Sequence, residues 1–210
     1  PPGIEAMVRK AVRGTRCVFF ASHGHPDHFT PDLVRLASET KEAHAVLSDD
    51  ILEMHPDLAT RPEWTVTSVE PEECVEAAGM RVTGFESTDL GVGFLIEHGP
   101  VRVYFGGDVA EWSWEAQGPR SRAFSERHFA ATLAALKAAA PDIAFSNADK
   151  RLPNWAGGVR FVREVRPRLF VPMHAFGDTA SLAVFHQEIA ALGVAVFAYT
   201  RPGEHMTVSL

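Results

Sequence analysis

"FFASHGHPDHF", residues 19–29, puts three imidazoles and a carboxylate within six positions, directly after an apolar run. The run itself, "CVFFA" at 17–21, is short, continuous and rich in β-formers, so it predicts a strand covered on both faces. His23, His25, Asp27 and His28 then fall in the loop at its C-terminal end. In an extended loop, residues two apart project the same way, so His23 and His25 can grip one cation together. Asp27 and His28 come one turn later and can address a second. Neutral imidazole is the usual nitrogen ligand of zinc-like metals, and carboxylates serve beside it. Six of the other seven histidines (His44, His55, His98, His128, His186 and His205) are scattered and read as surface or half-buried polar residues.

Outward from this loop the pattern is mixed. "IEAMVRKAVR" sets Ile4, Met7, Val8 and Val12 on one helical stripe. After the loop, "TPDLVRLASE" opens like a helix, with Thr30 as N-cap and Pro31 at the first helical position. "HAVLS" at 44–48 predicts a strand, followed by a short helix near "DDILEMH". From Trp64 to Gly107 the signal is β: "WTVTSV", "MRVTGF", "GFLIE" and "VRVYFGG", the last two joined by a hairpin turn at His98-Gly99-Pro100. Helices are predicted over about 123–139, 157–165 and 179–192, with "DIAFS", "RLFVPM", "VAVFAY" and "HMTVSL" as strands. An α/β order around a β-hairpin centre, without repeat or low-complexity segment, predicts one domain of layered sheets and helices over 1–210.

Composition narrows the function classes. The 210 residues are 46% hydrophobic and 22% charged, ordinary for a soluble globular protein. No apolar run approaches the ~20 residues that span a bilayer, and no signal-like segment opens the chain, so the expected setting is cytoplasmic, with no membrane partner. A net charge of −7 is a poor footing for a phosphate backbone, so no nucleic-acid partner is expected. Cys17 and Cys74 lack metal-finger spacing and read as free, buried thiols of a reducing compartment.

"SHGHPDH" resembles the HxHxDH signature of the metallo-β-lactamase superfamily. "VYFGGD" at 103–108 is similar to that family's strand-end aspartate, and "LFVPMH" at 169–174 to its late histidine. The stretches "STDLGVGF", "GDVAEWSW" and "PMHA" look like those of a poorly characterised subgroup of predicted hydrolases. The resemblance covers nearly the whole chain. It implies an α/β fold, a four-layer αββα sandwich, with a dinuclear site where two sheets meet at one edge. It further implies that His23 and His25 bind a first metal, that Asp27, His28 and His174 bind a second, and that Asp108 bridges the two. Zinc is the expected metal of both sites.

Two departures qualify the match. The family ordinarily supplies a third histidine to the first metal, whereas "GFESTDLGVGF" at 84–94 has none. Glu86 or Asp89 can substitute, and an oxygen-richer shell widens the metals towards manganese or iron. The family also opens with β-hairpins ahead of the signature. Here one helix stands there: either a segment is lost from the sequence shown or the protein is a shortened form, and since a shortened form would expose a sheet edge, the first is the expectation.

The chemistry implied is hydrolysis, by a hydroxide held between two cations, of a small ester, lactone, thioester or phosphodiester. Asp27 and Asp108 would orient the nucleophile or pass its proton to the leaving group. Trp112 and Trp114 in "EWSWE", and Lys150 and Arg151 in "NADKRLPNW", are candidates for a substrate wall and an anion grip. The rival expectation is a metal-binding or sensing module that kept the fold and lost turnover, favoured by the absent third histidine. Homo-oligomerisation is left open by the sequence.

Overall fold

Alternation along the first strands decides how the layers stack. In the computed structural model, which describes residues 4–209, β1 (Arg16–Ala21) sends Val18 and Phe20 to one side and Phe19 and Ala21 to the other. β2 (Glu42–Ser48) repeats this, with Ala43, Ala45 and Leu47 on one face and Val46 on the other. Such period-two division requires a covering layer on each face. On one side lie α2 (Leu33–Ala37) and α3 (Asp49–Met54), through Val34, Ala37 and Ile51. On the other lies a second sheet, reached through Val82, Val92 and Phe94.

The first sheet is parallel, in the order β1-β2-β3, with β3 spanning Thr65–Val69. The second has seven strands. β4 (Cys74–Ala77), β5 (Met80–Glu86), β6 (Val92–His98) and β7 (Val101–Phe105) form an antiparallel meander. β8 (Ile143–Asn147), β9 (Leu169–Met173) and β10 (Ala195–Val196) continue it in parallel. Its outer face carries α4 (Pro119–Ala139), α5 (Gly158–Val165) and α6 (Ala180–Ile189), packed through Phe129, Leu133, Phe161 and Phe185. The result is helix, sheet, sheet, helix, the layering of a metallo-β-lactamase sandwich.

Several local expectations give way. The 30–39 helix starts only at Leu33, with Asp32 at its cap, because turns closing on Thr30 and Pro31 carbonyls intervene. β4 was hidden in "ECVEAA"; its turn to β5 needs Ala78 at φ +50° ahead of Gly79 at φ +77°, a conformation alanine rarely signals. "VAVFAY" pairs only at Ala195 and Val196, and 205–209 of "HMTVSL" form no strand. Leu210 lies outside the described residues.

α1 (Ile4–Val12) forms, but Met7 and Val8 of its stripe are exposed, and the Ile4 side chain lies outside the described residues. Cys17 and Cys74 are free, yet Cys74 is exposed and Cys17 half-buried, since both sit on outer strands. β1 is also an outer strand of its sheet, hydrogen-bonded only to β2 among the described residues. No helix of the described residues is long and apolar enough to cross a membrane.

Candidate metal centre

Both sheets end, at the same edge of the sandwich, in the segments that carry the candidate ligands. β1 runs into Ser22 and His23, both fully buried. The His25 carbonyl then accepts the His28 and Phe29 N–H groups, each at 2.9 Å, turning the loop so that His28 comes back beside His23. Their rings lie 4.1 Å apart. Asp108 follows β7 and Gly107, and His174 follows β9 with φ +59°, a strained backbone for a non-glycine residue.

The side chains converge on Asp108. His23 Nε2 is 3.6 Å from its Oδ2, while His28 Nε2 and His174 Nε2 are each 3.3 Å from its Oδ1. His25 Nδ1 stands 3.7 Å from Asp89 Oδ2, and His28 Nε2 3.7 Å from Asp27 Oδ2. Two sets of donor atoms emerge, each within 4.8 Å internally: His23, His25, Asp89 and Asp108, and Asp27, His28 and His174. The structure thus brings Asp89, not Glu86, to the first pair of histidines. Glu86 instead pairs with His128 at 2.8 Å, beside Phe124 on α4. Asp89 reaches the site because the turn after β5 folds back over Ser22.

That turn depends on Gly91. At φ +66°, a Cβ there would stand 2.1 Å from Ser22 O and 2.7 Å from His23 Cβ. Val92 N–H donates to Ser22 O at 2.9 Å, locking the two segments together. Thr88 Oγ1 accepts the Ala110 N–H at 2.9 Å and lies 3.0 Å from Asp108 O, bracing the aspartate's turn.

Electrostatics sort the imidazoles. Burial, reinforced by neighbouring His28, holds His23 below the usual histidine pKa, and burial does the same to His174. Burial also pulls on His28, but the Asp108, Asp27 and Asp89 carboxylates outweigh it and raise its pKa. Burial opposes ionisation of Asp108, yet contact with His28, His174 and His23 wins and lowers its pKa.

The donor set fits divalent cations. His23 Nε2 and Asp108 Oδ1 are buried without a hydrogen-bond partner among the described residues, an arrangement costing ~1–3 kcal/mol per group unless something ligates them. Outer contacts suit the role as well: Ser22 Oγ lies 3.1 Å from His23 Nδ1 and 3.4 Å from His28 Nδ1, leaving both Nε2 atoms for a metal. Asp50 Oδ2 accepts the Gly24 N–H at 2.8 Å and steadies the loop.

Beside the donors opens a cavity of about 370 Å³, lined by Asp27, Thr88, Trp112, Trp114, Arg151 and Phe176 among others. Trp112 and Trp114 stack at 6.1 Å. The Arg151 guanidinium sits over Phe176 at 4.2 Å and Trp114 at 5.3 Å, tied to the buried Asp149 carboxylate through Nε and Nη2. Lys150, by contrast, is ion-paired with Asp178 and does not line this cavity. Sequence reasoning missed Ser22, Thr88, Asp149 and Asn147: Ser22 and Asp149 act on close sequence neighbours, while Thr88 and Asn147 act through contacts across the fold.

Comparison with known proteins agrees with this architecture. The family model described as a beta-lactamase superfamily domain matches residues 5–175. No curated protein matches the sequence. The metallo-beta-lactamase fold protein YhfI from Bacillus subtilis is similar in structure, with a TM-score of 0.54 and 13% identity over 85% of this chain and 73% of that one. CmlA, described as a diiron beta-hydroxylase from Streptomyces venezuelae, gives a TM-score of 0.53 at 13% identity over 88% of this chain. This chain spans only 43% of CmlA's length. At such identities the likeness concerns the fold alone. With the family model covering most of its length, and with sandwich and edge cluster both in place, the chain belongs to the metallo-β-lactamase superfamily.

Proposed function

We propose that the chain is a metal-dependent hydrolase of a small ester, lactone, thioester or phosphodiester. The observation that carries this reading is the position of Asp108, whose two carboxylate oxygens face the two sets of donors separately. His23, His25, Asp89 and Asp108 would hold one divalent ion; Asp27, His28 and His174, with Asp108 shared, would hold the other. Zinc suits this nitrogen and oxygen set, and three carboxylates also suit manganese or iron. Bound there, two such ions would acidify water and polarise a carbonyl or phosphoryl oxygen.

The chain's own residues supply the rest. Asp108, its pKa lowered, stays ionised and fixes the imidazoles around it. Asp27, exposed at the cavity mouth, is the carboxylate placed to take a proton from attacking water and return it to the leaving group. Trp112, Trp114 and Phe176 wall the substrate and exclude solvent from one side. Arg151, held flat by Asp149 and two aromatic rings, has no partner on Nη1 among the described residues and is the grip for an anionic group. The net charge of −7 favours a small molecule over a nucleic acid.

The test is a panel of nitrophenyl esters and bis-nitrophenyl phosphate with added zinc, manganese or iron. Turnover that Asp108→Ala abolishes supports the hydrolase. A second reading, a metal-binding module without turnover, draws on the half-exposed His25 and Asp89, where an imagined third imidazole is replaced by a solvent-facing carboxylate. Binding of one readily chelated ion, with no turnover, would favour it.

A further inference from the structure

Asn147 closes β8 with its side chain buried, and it touches both late segments of the candidate site. Its Nδ2 donates to Gly107 O at 3.0 Å and to Val109 O at 3.1 Å. Those two carbonyls flank Asp108. Carbonyl oxygens only accept, so the amide nitrogen must face them and Oδ1 must face the other way, toward His174 Nδ1. Oδ1 has no hydrogen to give. The His174 proton therefore sits on Nδ1, which leaves the Nε2 lone pair pointing at the cluster, 3.3 Å from Asp108 Oδ1 and 3.2 Å from His28 Nε2.

We infer that Asn147 is the positioning residue of the metal centre, setting the tautomer of His174 and the seat of Asp108 through one buried amide. The inference rests on the metal-dependent reading above and adds to it a residue that no metal would touch. Three features make it specific. The side chain is almost wholly buried, so water cannot replace its contacts. It joins β8 to two different segments, the turn after β7 and the residue after β9, so loss of the amide frees both at once. His174 also occupies a left-handed backbone conformation, which costs ~1–3 kcal/mol and needs such outside support. Ser22 performs the corresponding service for His23 and His28; nothing but Asn147 does so for His174 among the described residues.

The roles of the amide's two ends can be separated. Asn147→Asp keeps an acceptor toward His174 but turns two donated hydrogen bonds into oxygen–oxygen repulsion at Gly107 and Val109. Asn147→Leu removes both ends while retaining bulk. Zinc affinity of each protein is measured by competition with a chromophoric chelator, alongside melting of the metal-free proteins. The expected result is loss of affinity for one zinc equivalent by ~10–100-fold in Asn147→Leu, the usual effect of removing an outer partner of a metal-bound histidine, and a smaller loss in Asn147→Asp, which keeps that partner and disturbs only the seat of Asp108. A residue that only stabilised the fold would lower metal-free melting and leave the zinc affinities as they were; that result overturns the inference.

Should neither variant fold, nitrogen-15 spectra of the metal-free wild type at pH 8 decide it. The His174 signals, assigned with His174→Gln, should show the Nδ1-protonated tautomer, and an Nε2-protonated ring would refute the assignment. Wild-type protein that binds no zinc at all would instead defeat the proposed function, and the positioning role with it, whichever tautomer is found.

Discussion

His28 and His174, 146 positions apart in the chain, bring their Nε2 atoms to 3.2 Å of one another. Two lone pairs aimed at one point repel unless a proton or a cation lies between them. Asp108 Oδ1 stands 3.3 Å from both nitrogens, so the shared point carries negative potential that attracts a cation. Replacing His174 by Ala should therefore release the second ion, keep the first, and leave the fold intact. Metal titration before and after the change checks this; two ions retained at full affinity would contradict it.

Acid should empty the two positions at different pH. The pKa of His28 is raised, so in the metal-free protein its imidazole holds a proton at a pH where an ordinary histidine, near ~6.5, has lost it. Metal must displace that proton, and the competition strengthens as pH falls. His23 and His174, with lowered pKa values, stay neutral further into acid. The ion on His28 should leave first, above the pH at which the His23 ion leaves. Metal content measured across pH 8 to 5, about the ordinary histidine range, tests the order; simultaneous loss would count against it.

Gly91→Ala places a Cβ into the Ser22 carbonyl and the His23 side chain, in a backbone region that disfavours alanine. The expected cost is ~1–3 kcal/mol or more in stability, with weakened binding at the first position, because Asp89 rides on the same turn. Urea unfolding and metal titration read the two effects. Unchanged midpoints would show that this turn does not hold the site.

Tyr104 poses the opposite case. Its hydroxyl is fully buried on β7 with no partner among the described residues, and burial pushes its pKa far up. Tyr104→Phe removes an unsatisfied polar atom and keeps the ring contacts with Phe85 and Phe161. Stability should hold or rise, by up to ~1 kcal/mol, since removing a partnerless group is neutral or favourable. A clear loss in urea unfolding would mean the hydroxyl has a partner.

The layered fold was legible where apolar runs were continuous. "CVFFA", "GFLIE" and "DIAFS" announce strands through continuous apolar runs, and each forms one. Two stretches were not legible: β4 hid behind an alanine turn, and 205–209 of "HMTVSL" form no strand. At the site, imidazoles and aspartates stand out by residue type, and the structure gathers them. The choice between Glu86 and Asp89 was out of reach, since both lie close to the strand end and only the Gly91 turn decides which one faces inward. Asn147 could not be seen either, because an asparagine at a strand end becomes meaningful only through what it touches.

Elemental analysis of the protein purified without added metal tests the central claim most directly. Two divalent ions per chain, falling to one or none in Asp108→Ala, is the predicted result. Fully folded protein that neither retains nor takes up any divalent metal would contradict it.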